Sequence, residues 1–259
     1  MTSFLKVQKM LTPIQISEFQ QQGYLILRGL ADPAFCEQVI AFAQQQLATQ
    51  AAPIEFEADL NYPGAPTSRT AEGGHTARRL LRAYGRGELP AKWAAGDAIV
   101  PALKQLLGPQ ALMSQAHHNC IMTKQPQFSS VTGWHRDSRY WSFQRAELVT
   151  VWLALRDETV ENGCLLVIPG SHRAAVQAQQ LDDAHFLRPE LTENQALIQQ
   201  AVSVPLQQGD VLFFSSNLFH AAGRNQTAQT KYSMVFTYRA LDNPPVPGSR
   251  SDSLPEVSL

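Results

Sequence analysis

The chain has 259 residues, 44% of them hydrophobic, with 21 Lys+Arg against 22 Asp+Glu and a formal net charge of −1. That length buries a large core without disulfides or a structural metal, and the balanced charge gives no field for nucleic acid or an anionic membrane. Cys36, Cys120 and Cys164 are an odd, widely spaced set, Met1–Lys9 lacks an apolar leader and no long apolar run suggests a membrane span, so a cytoplasmic location is expected.

Thr12-Pro13-Ile14-Gln15 has the form of a capping box with proline at the first helical position, which predicts a short helix stopping at Gly23. Tyr24 to Leu30 reads as a short strand, and Asp32-Pro33 opens a second helix carrying Val39, Ile40, Phe42 and Leu47. Residues 51–75, rich in Pro and Gly, read as a long loop. Thr76 to Gly87 sets Arg78, Arg82 and Arg86 at helical spacing, and residues 90–107 read as a further helix closed by Gly108-Pro109. From about residue 111 the period changes. Residues 148–155, 164–168, 202–206, 211–214 and 232–238 are strand candidates separated by turn signals, with a helical interruption between 173 and 200. The expected organisation is one domain over 1–259: a mainly helical layer to residue 110 with a loop or lid over 51–88, a β-barrel or sandwich over 111–241, and an extended tail over 242–259.

The chemistry concentrates in Gly133-Trp-His135-Arg-Asp137. On a strand, residues i and i+2 share a face, so one imidazole and one carboxylate converge. His220 follows the strand candidate 211–214 and would complete a two-His, one-carboxylate facial triad, the arrangement that suits non-haem Fe(II) and leaves coordination positions open. A His-x-Asp is common by chance among 7 His and 22 acidic residues, so a structural pair is the competing reading. Lys231 and Ser233 would share a strand face, where ammonium and hydroxyl can hold one carboxylate together. A solvated strand lysine is the alternative for Lys231.

Three segments in order, residues 11–30, 133–172 (with Glu161-Asn-Gly-Cys and Pro169-Gly-Ser-His172) and 209–239 (Gly209-Asp leading to His220), resemble the phytanoyl-CoA dioxygenase family of Fe(II)/2-oxoglutarate oxygenases. The resemblance implies a mainly β double-stranded β-helix, a jelly-roll barrel related to cupins, with flanking N-terminal helices. It implies His135, Asp137 and His220 as iron ligands, with 2-oxoglutarate and O2 as cosubstrates and succinate and CO2 as co-products. Family halogenases lack the acid found here at Asp137, so hydroxylation is the expected outcome. The family usually carries arginine eleven residues after the distal histidine to hold the far carboxylate of 2-oxoglutarate. This chain has Lys231 there, and Arg224 nearby is a second candidate for that role. Thr150 and Trp152 share a face of one strand, and the family often places an aromatic there beside the cosubstrate; core packing is the other reading. Lys124 is a further cosubstrate candidate, beside a solvated reading.

A small organic substrate, anionic in character, is expected. Residues 61–92 carry Arg69, Arg78, Arg79, Arg82, Arg86 and Lys92 against Glu72 and Glu88, which is either a solvated helix face or a lid that reads an anion through Arg78 and Arg82. His117 and His118 point to opposite strand faces; His118, with Asn119, is a candidate substrate contact beside a core reading. The alternatives to an oxygenase are a cupin-like metal-dependent isomerase and a non-catalytic ligand-binding barrel.

Overall fold

The computed structural model describes residues 10–60 and 62–259. Met1–Lys9, over which no leader is expected, and Asn61 lie outside them. In chain order the elements are α1 (Pro13–Gln22), β1 (Tyr24–Leu27), α2 (Pro33–Ala48), β2 (Ile54–Phe56), β3 (Ala77–Leu81), α3 (Ala83–Arg86), α4 (Glu88–Ala94), α5 (Val100–Leu107), β4 (Ala111–Lys124) and β5 (Thr132–His135). There follow β6 (Leu148–Ala154), β7 (Leu165–Val167), α6 (Thr192–Ile198), β8 (Val202–Val204), β9 (Val211–Ser215), β10 (His220–Ala222), β11 (Lys231–Ala240) and β12 (Val257–Ser258).

Two sheets form the body. The large one runs β1-β9-β6-β11-β4-β3-β2, with β12 added beside β4; the small one runs β5-β10-β7-β8. All their strand pairs are antiparallel. The large sheet is buried on both faces. Val151, Leu153, Phe213, Met234 and Phe236 pack with Phe35, Ile40, Trp93 and Leu103 of the helices. The alternate residues Trp152, Ala154, Leu212, Phe214 and Val235 pack with Leu165, Val167 and Val204 of the small sheet. This two-sided burial is why the strands read as near-continuous apolar runs. The helices cover one face and the small sheet covers the other, so the barrel interior opens between the sheets. No helix among the described residues is long and apolar enough to cross a membrane.

The cap of α1 forms as its sequence dictates: Thr12 Oγ1 accepts from Gln15 N at 3.2 Å, and Gln15 Oε1 accepts from Thr12 N at 2.9 Å. Asp32 caps α2 by accepting from Ala34 N at 2.8 Å. Four expectations change. Besides the expected strand β1, which pairs with β9, the first 110 residues contribute β2–β3, which extend the large sheet beyond β4 where a loop or lid over 51–88 is expected. The segment with Arg78 and Arg79 is strand β3, not a helix; Arg82, at φ +57°, ends it in the left-handed region. A helix there would set Arg78 on an open face, whereas the strand places it in a buried ion pair with Glu57. The helix expected over 90–107 is split in two, since Pro101 fits only the first turn of a helix and α5 restarts just before it. The tail folds back, with Val257 and Ser258 of β12 opposite Met113 and Leu112 of β4.

Candidate active site

The ligand candidates meet at one end of the small sheet. His220 on β10 lies directly opposite His135 on β5, with ring centroids 4.2 Å apart. β5 ends at His135, and Asp137 opens a short 3-10 turn, Asp137–Tyr140, so the carboxylate arrives from a turn rather than from the same strand. His220 Nε2 is 3.5 Å and His135 Nε2 3.8 Å from Asp137 Oδ1. One ligand atom from each residue lies within 4.8 Å of the others, and all three residues are buried.

The protons are placed by the backbone. His135 Nδ1 donates to the Gly133 carbonyl at 2.8 Å, and His220 Nδ1 donates to the Leu218 carbonyl at 3.0 Å. A carbonyl can only accept, so both Nε2 atoms carry bare lone pairs facing Asp137. Burial, then the neighbouring His220, pushes His135 well below its usual range; burial likewise lowers His220. Burial opposes ionisation of Asp137, yet the charge and hydrogen bond of His118 outweigh it and hold the carboxyl well below the usual carboxylate range. Two lone pairs and a carboxylate converging with no proton among them repel one another unless a cation lies between. The group therefore fits a divalent metal with N/O preference.

Further polar groups brace the carboxylate. His118 Nε2 donates to Asp137 Oδ1 at 2.9 Å, and Thr150 Oγ1 donates to Oδ2 at 3.1 Å. Against the effect of burial, the Asp137 charge and hydrogen bond raise His118 to about 9. His118 and Thr150 thus touch the triad itself. Beside the triad is a cavity with apolar walls at Met122, Leu165 and Phe214; Lys124, Trp152, Lys231 and Ser233 also line it.

Other expected residues lie elsewhere. Arg224 is outside the cavity: Nε donates to the Ser129 carbonyl at 3.0 Å and Nη2 to the Gln127 carbonyl, which staples the loop after β4. Arg82 is exposed at the end of β3 and does not line the cavity. Arg78 borders the cavity, but its Nη1 and Nη2 are taken by Glu57 at 3.1 Å, Ser130 at 2.8 Å and Thr132 at 3.0 Å. Asn119 is buried away from the cavity, its Oδ1 accepting from Tyr84 N at 2.8 Å.

Two residues escaped the sequence reading. Arg79 lines the cavity, and its nearest carboxylate oxygen, on Glu55, is 3.4 Å from Nε. Arg78 and Arg79 both border the cavity, so strand alternation does not single Arg79 out. Glu158 is the second, and no local pattern marks it. Its buried carboxylate accepts from Lys231 Nζ at 2.9 Å, Ser233 Oγ at 2.6 Å and Trp152 Nε1 at 2.8 Å.

Known proteins share this architecture. The ectoine dioxygenase of Sphingopyxis alaskensis is 24% identical, over 88% of this chain and 76% of its own. Phytanoyl-CoA dioxygenase domain-containing protein 1 of Bos taurus is also 24% identical, over 87% of this chain and 89% of its own. Among solved structures, EctD from S. alaskensis with 2-oxoglutarate and 5-hydroxyectoine superposes with a TM-score of 0.74 at 21% identity, covering 91% of this chain and 78% of that one. The epimerase SnoN in complex with Fe3+, alpha ketoglutarate and nogalamycin RO gives 0.73 at 21%, covering 93% of this chain and 89% of that one. These superpositions establish the jelly-roll fold. The model of the family described as phytanoyl-CoA dioxygenase (PhyH) matches residues 19–233, and the chain belongs to that family.

Proposed function

We propose that this chain is an Fe(II)- and 2-oxoglutarate-dependent dioxygenase that hydroxylates a small anionic organic molecule. The observation that carries the reading is the convergence of the His135 and His220 lone pairs on Asp137 Oδ1. Family membership favours this over a cupin-like isomerase or an inert barrel. Iron bound there, with 2-oxoglutarate and O2, supplies the oxidation of a substrate C–H bond, coupled to decarboxylation of the oxo acid to succinate and CO2.

The protein's own part is geometric. His135, His220 and Asp137 hold the metal from one side. His118 and Thr150 fix both oxygens of Asp137, which limits how the carboxylate can rotate. Met122, Leu165 and Phe214 keep water from the reaction space. Arg79 lines the cavity with its charge offset by Glu55 at 3.4 Å, and offers N–H donors to an anionic substrate. Pairing of β1 with β9 and of β12 with β4 supports a single domain over 1–259. Three buried, unpaired cysteines support a cytoplasmic setting.

The test is spectroscopic and chemical. Anaerobic addition of Fe(II) and 2-oxoglutarate should give the visible charge-transfer band of the chelate, lost in His135→Ala. A screen of small organic acids for succinate release should then identify the substrate. Absence of the band in the wild type would refute the assignment.

A further inference from the structure

Glu158 stands where a free carboxylate would be expected to bind. It lies just beyond β6, and its backbone pairs with Leu206 through hydrogen bonds of 2.7 and 3.0 Å. The residue is 1% exposed. An ammonium, a hydroxyl and an indole N–H converge on its two oxygens, so Lys231, Ser233 and Trp152 already hold a carboxylate that belongs to the chain itself.

We propose that Glu158 fills this cradle and neutralises Lys231, and that the far carboxylate of the cosubstrate is held instead by Lys124. The inference rests on the dioxygenase reading above. Lys124 is the register neighbour of Lys231 across the β4–β11 pair, and both line the cavity. Each other cation on the cavity wall has an acidic partner: Arg78 has Glu57 at 3.1 Å, Arg79 has Glu55 at 3.4 Å and Lys231 has Glu158 at 2.9 Å. Among the described residues, Lys124 has no carboxylate within 4.0 Å, and its Nζ donates only to the Ser130 carbonyl, at 3.0 Å. An ammonium has three N–H donors, so two remain. Lys124 is 9% exposed, and a buried cation with one neutral acceptor is costly to keep. Burial, then the charges of Lys231 and Arg78, lower it to about 7. An arriving carboxylate would reverse that penalty.

Lys124 then supplies one positive charge for the far end of the cosubstrate, while the metal group takes its oxo-acid end. Glu158 is therefore a selectivity residue, because it determines which lysine a dicarboxylate meets.

The experiment is anaerobic titration calorimetry of the Fe(II)-loaded full chain with 2-oxoglutarate and with 2-oxopentanoate, which has the same length without the far carboxylate. Lys124→Met should weaken 2-oxoglutarate by about tenfold to a hundredfold, the range of one charge-assisted hydrogen bond, and leave 2-oxopentanoate unchanged. Adding Glu158→Ala to Lys124→Met should restore much of the loss, because the vacated cradle exposes Lys231. The neutral pair Lys231→Met/Glu158→Gln removes both buried charges together, which preserves the fold, and should keep 2-oxoglutarate affinity within about twofold. Retained affinity in Lys124→Met, or loss confined to the neutral pair, would overturn the assignment while leaving the dioxygenase reading intact. Wild-type protein that binds neither oxo acid would sink both.

Discussion

His118 Nε2 and Asp137 Oδ1 are 2.9 Å apart, and that same oxygen faces the lone pairs of His135 and His220. The histidine fixes the orientation of the acid without occupying the metal position. His118→Ala should therefore weaken iron binding about tenfold to a hundredfold, the usual effect of losing such a brace, while the fold persists. Competition against a chelator of known affinity measures it. Unchanged iron affinity would reassign His118 to the substrate.

His117, the residue before it, packs on the same Trp141 ring as His118, with ring centroids 4.8 and 5.5 Å away, and gives a pH prediction. It is bonded to Ser251 Oγ at 2.7 Å and stacked on Trp141. Burial, then the charges of His118 and Arg250, lower it from 6.5 to about 3. The folded state keeps it neutral while the unfolded chain takes up a proton below 6.5, so its contribution to stability falls as pH drops from 6.5 towards 3. In urea titrations, His117→Gln should show a shallower loss over that window, by at most about 1.4 kcal/mol per pH unit. Parallel curves would show that His117 titrates normally.

The Arg78–Glu57 pair separates structural arginines from functional ones. Glu57→Ala removes the nearer carboxylate from a buried guanidinium, leaving Glu55 at 3.7 Å, and should cost about 3 kcal/mol. Arg82→Ala, on an exposed side chain, should change stability by less than about 0.5 kcal/mol and leave KM unaltered. Chemical denaturation and steady-state kinetics distinguish the two. A raised KM in Arg82→Ala would return that residue to the substrate site.

Gly209 tests the turn that delivers β9. Its φ is +88°, and a Cβ there would lie 2.3 Å from the Ala31 carbonyl oxygen, which is backbone and cannot swing aside. Gly209→Ala should destabilise by about 1–3 kcal/mol, read as a lowered urea midpoint at constant m-value.

Legibility tracked the kind of signal available. Thr12 and Asp32 announced their helices because a cap is a local pattern, and β6, β9 and β11 announced themselves because two-sided burial writes apolar runs. His135, Asp137 and His220 were legible as a set through spacing and family resemblance, though Asp137 reaches the group from a turn. Strand β3 was misread because Arg78, Arg82 and Arg86 happen to fall at helical spacing, and only Glu57, 21 residues earlier, shows why Arg78 is buried. Glu158 was invisible for the same reason: its three donors come from β6 and β11, and no rule of neighbouring residues links them. Arg224 looked like a site residue by proximity to His220, but the chain leaves β10 in a direction that carries it away.

The cross-strand pairing of His135 with His220 has a practical consequence. Side chains alternate along a strand, so a shift of β10 by one residue against β5 would turn His220 to the other face and break the metal group. Iron uptake is then a gauge of correct assembly. A preparation in which these short strands have mispaired would look folded by its helices and large sheet, yet bind metal substoichiometrically, and the iron-to-protein ratio would count the correctly built molecules.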